Sequence, residues 1–323
     1  MTKRKLREAA SLVKESDSFV VAGHVNPDGD CLGCICALGL ALSRLGKTVV
    51  TVSSDGVPEL YGFLPGSENV LRQVPENRAF DVAIVIDCEN FDRLGPMAEI
   101  LPSCGRILEI DHHPGGERGS GLQLVDPSAA SCGEIMFELF EEGGIGIDSE
   151  VAECLLTAIV TDTGCFKFGN VTPSTLRIAA RLLESEGSIE KISHEVYETR
   201  SLSSAKLLGA ALSTLRTTAN GRIAYACITR DQMASAGAAE AETEGIVNYV
   251  RSVRGAEVGI LFREAEDGAT RISLRSREGL DVNEIARQFK GGGHKAAAGC
   301  TIERPLTEAI ELLMNATRQC MGY

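Results

Sequence analysis

With 323 residues, 44% of them hydrophobic, and a formal net charge of −13, the chain can bury one large core or two smaller ones, and two domains is the expected arrangement. The acidic balance excludes a broad basic surface of the kind that grips long duplex nucleic acid by neutralising its phosphates. Any polyanionic substrate must therefore be small, met locally by metal ions and a few arginines or lysines.

Met1-Thr2-Lys3-Arg4-Lys5 is basic but leads into an amphipathic segment carrying Glu8 and Lys14, so no signal peptide is expected. No uninterrupted apolar run reaches the roughly 18 residues of a membrane helix, and no span is expected. Short apolar runs at 19 to 23, 48 to 52, 82 to 86 and 106 to 110 are rich in Val and Ile and predict strands, whereas 31 to 45, 130 to 142 and 150 to 161 carry apolar residues at helical spacing. The first of these helices should bury Leu32, Ile35, Leu38, Leu42 and Leu45 and stop at Gly46. Strand and helix alternate to about residue 190, a βαβ series that predicts an α/β fold with a mostly parallel sheet and helices on both faces.

Thr172-Pro173-Ser174-Thr175 supplies an N-cap and a first-turn proline for a further helix, and helical stretches near 188 to 199 and 201 to 218 follow as a connector. From Arg222 the alternation restarts with a strand over 223 to 228, a helix near 241 to 252, and an antiparallel pair at 257 to 262 and 271 to 275 joined through Glu266-Asp267-Gly268. A helix at 281 to 289, the run Gly291-Gly292-Gly293-His294, a strand at 298 to 302 and a final helix complete a smaller α/β domain. The expected organisation is a domain over 1–190, a helical connector over 191–218 and a second domain over 219–323.

Eleven cysteines lie mostly inside apolar helix and strand patterns instead of a small loop-rich framework, which points to reduced thiols and a cytoplasmic setting. Cys31, Cys34 and Cys36 are close enough in sequence to suggest a soft-metal site, but no second pair follows at zinc-finger spacing, and packing as small hydrophobes is the favoured reading.

Four polar stretches carry the chemistry. His24-Val25-Asn26-Pro27-Asp28-Gly29-Asp30 follows the run 19 to 22, Asp87 follows 82 to 86, Asp111-His112-His113 follows 107 to 110, and Asp162 closes 155 to 161 as the last turn of a buried helix. If the first three runs are parallel strands, their polar ends meet at one sheet edge, where open α/β sheets bind ligands. The turn forced by Pro27 and Gly29 can aim His24 and Asp28 at one ion and Asp30 at another, although a surface turn with Asp30 as a helix cap accounts for that segment equally well. Asp87 stands at the rim of a buried strand, where its charge needs a cation or several donors. Of two adjacent histidines at a strand end, one can ligate metal while the other faces substrate, with Asp111 orienting a ring.

Together these motifs resemble the DHH phosphoesterase superfamily, and Gly291-Gly292-Gly293-His294 followed by Ala296-Ala297-Ala298-Gly299 is similar to the signature of its DHHA1-type C-terminal domain. The resemblance spans nearly the whole chain and is nearest the two-domain bacterial branch that includes the nanoRNases, oligoribonucleases that also dephosphorylate adenosine 3',5'-bisphosphate (pAp). It implies that His24, Asp28 and Asp87 hold one metal and that Asp30, Asp87, His112 and Asp162 hold a second, with Asp87 as the bridge. His113 would stand beside the phosphate.

Carboxylates mixed with imidazole suit Mn²⁺, with Mg²⁺ or Co²⁺ as the other candidates. Such a pair of ions activates water and neutralises charge on the phosphoryl oxygens. Gly291, Gly292 and Gly293 can form an anion-binding nest, and His294 and Arg275 are candidates for gripping a second phosphate or a terminal nucleotide. The expected substrates are short RNA oligonucleotides and pAp, cleaved between the two domains, with no long duplex DNA, no membrane, and a homodimer left open. Cyclic-dinucleotide or linear-dinucleotide hydrolysis and a non-catalytic nucleotide-binding module are the alternatives.

Overall fold

The computed structural model describes residues 2–76, 78–115, 119–277 and 280–322, which fall into two compact units, Met1–Thr199 and Arg200–Tyr323. Residues 191–199 of the expected connector thus belong to the first unit and 200–218 to the second.

In the first unit α1 (Lys3–Glu15) precedes β1 (Ser18–Gly23), α2 (Gly29–Arg44), β2 (Thr48–Val52), β3 (Val82–Ile86), β4 (Arg106–Asp111), β5 (Leu122–Val125), α3 (Cys132–Gly143), α4 (Ser149–Asp162), α5 (Pro173–Glu184) and the short α6 (Ile189–Ser193), which runs into a π-turn over His194–Glu198. The strands form one sheet in the order β2-β1-β3-β4-β5, every pair parallel. Val21, Ile84 and Leu108 point to the face packed by α1 to α4. Val20, Ala22, Ala83 and Val85 point the other way, under the 3₁₀ turns within Phe91–Glu99 and at Leu101–Ser103. The α-helices thus gather on one face, and the helices expected on the second are short 3₁₀ turns. β5, too short and mixed to stand out in sequence, completes the edge.

α2 begins two residues earlier than its apolar pattern, because Asp28 caps it by accepting from the N–H groups of Asp30 and Cys31. Leu32, Ile35, Leu38 and Leu42 are buried, but Leu45, expected in the core, is the C-cap and 49% exposed. α2 packs tightly on α4. A Cβ at Gly33 would lie 2.5 Å from the Cys154 carbonyl oxygen, so only glycine lets the two backbones approach this closely, and that approach sets Asp30 and Asp162 side by side.

The second unit contains α7 (Leu202–Ser213), β6 (Arg216–Thr218), β7 (Ile223–Ile228), α8 (Arg230–Ala236), α9 (Ile246–Arg251), β8 (Val258–Glu264), β9 (Thr270–Ser276), α10 (Val282–Arg287), β10 (Gly292–His294), β11 (Ala297–Ile302) and α11 (Leu306–Cys320). Its sheet runs β10-β11-β9-β8-β7-β6, antiparallel except for β7 with β8. The helix expected over 201–218 ends at Ser213, since Arg216, Thr217 and Thr218 pair with β7 as an edge strand, the conformation that β-branched residues favour. The glycine run, expected as an anion-binding loop, is largely strand, with Gly292, Gly293 and His294 in β10.

Gly33→Ala is expected to lower unfolding stability by about 1 to 3 kcal/mol through overpacking and to weaken divalent-metal binding with it. Gly146→Ala, at a position with open space around it, is the control, and denaturant titration reads both. Equal stabilities would remove the close helix contact as the device that aligns the carboxylates.

Candidate active site

Gly23, Ile86 and Ile110 stand in one cross-strand row of β1, β3 and β4, so His24, Asp87 and Asp111 are neighbours at the carboxyl edge of the sheet. This is also where the strand order reverses, with β2 on one side of β1 and β3 on the other, the switch point at which open α/β sheets form their ligand crevice.

Asp87 lies at the centre. Its Oδ2 is 3.3 Å from His24 Nε2, and its Oδ1 is 3.6 Å from His112 Nε2 and 3.5 Å from His113 Nδ1. The residue is buried, and its φ of +54° belongs to the left-handed region, which a non-glycine residue adopts only when its surroundings hold it there. The holding bond is the Asp87 N–H donated to the Ile110 carbonyl at 2.9 Å.

On one side, His24, Asp28 and Asp87 present ligand atoms close enough to share an ion, and on the other Asp30, His112 and Asp162 do the same. His112 Nε2 is 3.8 Å from Asp30 Oδ2 and 3.5 Å from Asp162 Oδ2. Asp30 is not a cap of its own helix, the alternative open in the sequence. Its oxygens accept from the N–H groups of Cys132 at 2.7 Å and Gly133 at 3.0 Å, at the positive N-terminal end of α3. Asp111 accepts from both the backbone N–H and the ring Nδ1 of His113, the latter at 2.8 Å, so the ring it orients is that of His113.

The electrostatics call for cations. Among the described residues no lysine or arginine pairs with Asp28, Asp30, Asp87 or Asp162. Burial and then repulsion from Asp87 and Asp162 hold the Asp30 carboxyl well above the usual range. Burial, Asp87 and Asp28 push Asp162 up to about 8. Burial alone would depress His24, but Asp28 and Asp87 outweigh it and raise the ring to about 10. Burial lowers His112, leaving a neutral ring suited to ligation, while for His113 the Asp111 bond and Asp87 overcome burial and raise it. Crowded carboxylates with interleaved imidazoles are the donor set that a pair of divalent ions fits.

Sequence reasoning missed several contributors. The Cys132 thiol lies 3.6 Å from Asp87 Oδ1 and the Cys34 thiol 3.7 Å from Asp30 Oδ1; the helix start near residue 130 was legible, but not which carboxylate it would face. Arg93 reaches His24 Nδ1 at 3.0 Å. Cys31, Cys34 and Cys36 are buried in α2 as free thiols, and no ligand set among the described residues contains them.

In the second unit, Arg275 of β9, Ala297 of β11 and His294 of β10 form one cross-strand row. Arg275 is half-buried, and its Nη1 donates to the Leu274 carbonyl at 3.0 Å. The backbone of His294 is part of β10, whereas its side chain lies outside what the structure describes. A Cβ at Gly293, where φ is +141°, would lie 2.4 Å from the Ala297 carbonyl oxygen, while around Gly292 there is open space. Gly293 therefore seats β10 against β11, while Gly292 has room for a ligand beside it; both are exposed. Gly291 lines a cavity of about 680 Å³ together with Arg263, Arg271, Ser273, Lys290 and Thr301. Arg263 and Arg271, opposite one another across β8 and β9, share Glu240.

Comparison with known proteins agrees with this arrangement. The DHH family N-terminal domain model matches residues 18–159 and the DHHA1 domain model residues 220–322. The bifunctional oligoribonuclease and PAP phosphatase NrnA of Thermus thermophilus is 32% identical over 317 residues, covering 98% of this chain and 94% of that protein. The chain belongs to the DHH/DHHA1 family. The Bacillus subtilis protein of the same name is 32% identical over 290 residues, 88% of this chain and 90% of its own. A crystal structure of an exopolyphosphatase-related protein from Bacteroides fragilis superposes with a TM-score of 0.92 at 27% identity, covering 99% of this chain and 98% of the other. As a DHH-family member the chain is a metal-dependent phosphoesterase, and the acidic and imidazole clusters of its first unit can hold the divalent ions.

Because His24 and Asp162 carry protons near neutrality without metal, loading is expected to release about one to two protons at pH 7 and to tighten as pH rises from about 6 to 8. Calorimetric Mn²⁺ titration in buffers of different ionisation enthalpy reads the release. A heat independent of buffer would contradict the protonation states derived above.

Proposed function

We propose that the chain hydrolyses short oligoribonucleotides to mononucleotides and dephosphorylates pAp, using two divalent ions, Mn²⁺ in the first instance. The observation that carries this reading is the pair of ligand sets meeting at Asp87, in a chain similar over nearly its whole length to relatives named for both activities. His24, Asp28 and Asp87 are assigned to one ion, and Asp30, Asp87, His112 and Asp162 to the other. When bound, the ions supply an activated water at neutral pH and neutralise charge that develops on the phosphoryl oxygens.

The protein's own groups do the positioning. His113, oriented by Asp111 and raised toward its protonated form, faces the phosphate, and Cys132 and Gly133 fix Asp30 through their N–H groups. Arg275, the backbone of Gly291, Gly292 and Gly293, and His294 are assigned to a second phosphate or to the terminal nucleotide. The row that joins Arg275 to His294 across Ala297 supports treating these residues as one binding surface. Eleven unpaired cysteines suit a reducing cytoplasm.

Asp87→Asn is expected to abolish turnover with every substrate and to lower the number of bound ions, because it removes charge from both sets, while Asp162→Asn weakens one ion only. Full activity with two bound ions in Asp87→Asn would sink the assignment. The substrate reading is tested with a Mn²⁺ panel of dinucleotides, longer RNA, pAp, cyclic dinucleotides and pyrophosphate. Dinucleotides and pAp should be preferred, and Arg275→Ala should raise KM for both by about 1.5 to 3 kcal/mol, the range for a lost charge-assisted hydrogen bond. A wild-type preference for long RNA or for cyclic dinucleotides would replace the proposed substrate class.

A further inference from the structure

Arg93 lies in the 3₁₀ segment that follows β3, half-buried, and two backbone bonds fix it beside the metal ligands. Its N–H donates to the Asn90 carbonyl at 2.9 Å, and its own carbonyl accepts the Val25 N–H at 2.7 Å, which ties the segment to the turn carrying His24. Among the described residues no carboxylate lies within ion-pair distance of its guanidinium, and the polar contact its side chain makes is Nη2 to His24 Nδ1 at 3.0 Å. A partly buried guanidinium without an anion is costly, so the absence of a protein carboxylate around Arg93 is informative.

That contact is made to a nitrogen that already has another partner. His24 Nδ1 is also 2.8 Å from the Val25 carbonyl oxygen. The carbonyl requires a proton on Nδ1, whereas the guanidinium requires a lone pair there. His24 Nε2 faces Asp28 and Asp87, which leaves Nδ1 to the Val25 carbonyl. The backbone carbonyl then fixes the tautomer, as a second partner commonly does for a ligating histidine. Arg93 is left beside the ligand cluster with donors and, among the described residues, no carboxylate to accept from them.

We infer that Arg93 is a phosphate-binding residue of the metal centre, donating to a phosphoryl oxygen of the substrate. The inference rests on the phosphoesterase reading above and adds to it a cation from the first unit. Guanidinium is suited to this role because its planar fork matches two oxygens of a phosphate, which an ammonium cannot do.

The test uses the full chain loaded with Mn²⁺ and inorganic phosphate as the probe, with metal and phosphate affinities measured separately by calorimetry. In Arg93→Ala, metal affinity should stay within about threefold of the parent while phosphate affinity falls roughly 10- to 100-fold, and the KM for pAp should rise in step. Arg93→Lys should recover part of the loss, and Arg93→Gln, which keeps most of the side chain's bulk, guards against a loss caused by misfolding. Unchanged phosphate affinity overturns the inference. So does a loss of metal affinity with normal phosphate binding at saturating metal, which would make Arg93 a positioning residue for His24. If the parent protein binds metal but neither binds phosphate nor hydrolyses any member of the substrate panel, the proposed function fails and the inference fails with it, a result distinct from a variant that matches an active parent.

Discussion

Asp30, Asp87 and Asp162 converge on one small volume with, among the described residues, no lysine or arginine to offset them, and much of the first unit is arranged around that repulsion. Partly buried like charges a few ångströms apart repel by several kcal/mol at the dielectric of a protein margin. Among the described residues each carboxylate is held by something other than a lysine or arginine. The N-terminus of α3 grips Asp30, and an unusual backbone conformation fixes Asp87 at the centre. Asp162, pushed up to about 8, keeps its proton until a cation arrives. Protons and divalent ions therefore compete for the same oxygens. A site built in this way is incomplete without the divalent metal on which the family depends.

Holding the repulsive groups in register requires stiff elements. Adjacent parallel strands place His24, Asp87 and Asp111 side by side without help from loops, since the row through Gly23, Ile86 and Ile110 fixes where each chain leaves the sheet. Asp30 and Asp162 come instead from two helices, whose separation is set by the absent side chain at Gly33. One half of the centre thus depends on strand register and the other on helix packing, and both kinds of element are buried on the same face of the sheet.

Much of this was legible in the sequence because the strong signals are local. Val- and Ile-rich runs fixed four strands of the first sheet, the capping sequence at Thr172 marked α5, and the Asp-His-His motif stood out against a background of five histidines in the chain. What stayed hidden depends on contacts between distant segments. Cys132 and Gly133 grip Asp30 across about a hundred positions, and nothing in residues 126–134 says which carboxylate their N–H groups will meet. The edge strand at 216–218 was lost because a helical pattern ran into it without a breaker, and Leu45 fell outside the core because α2 ends at Arg44, one residue before its apolar stripe does. Arg93 carries no local signal, since its role depends on a ring 69 positions away.

A net charge of −13 and an anionic substrate are compatible because the relevant lengths differ. At physiological salt the charges of the acidic surface are screened beyond about 8 Å, so a small anion that reaches the centre meets the local groups, not the global charge. His113 is raised toward its protonated form by Asp111 and Asp87, and Arg93 has no carboxylate partner among the described residues. A long polyanion gains no more from these few cations than a dinucleotide does, yet each further phosphate must pass an acidic surface at close range, where screening no longer protects it. Selectivity for length can thus arise without a steric stop, from a balance in which the favourable contacts are few and fixed while the unfavourable ones grow with every added residue of the substrate.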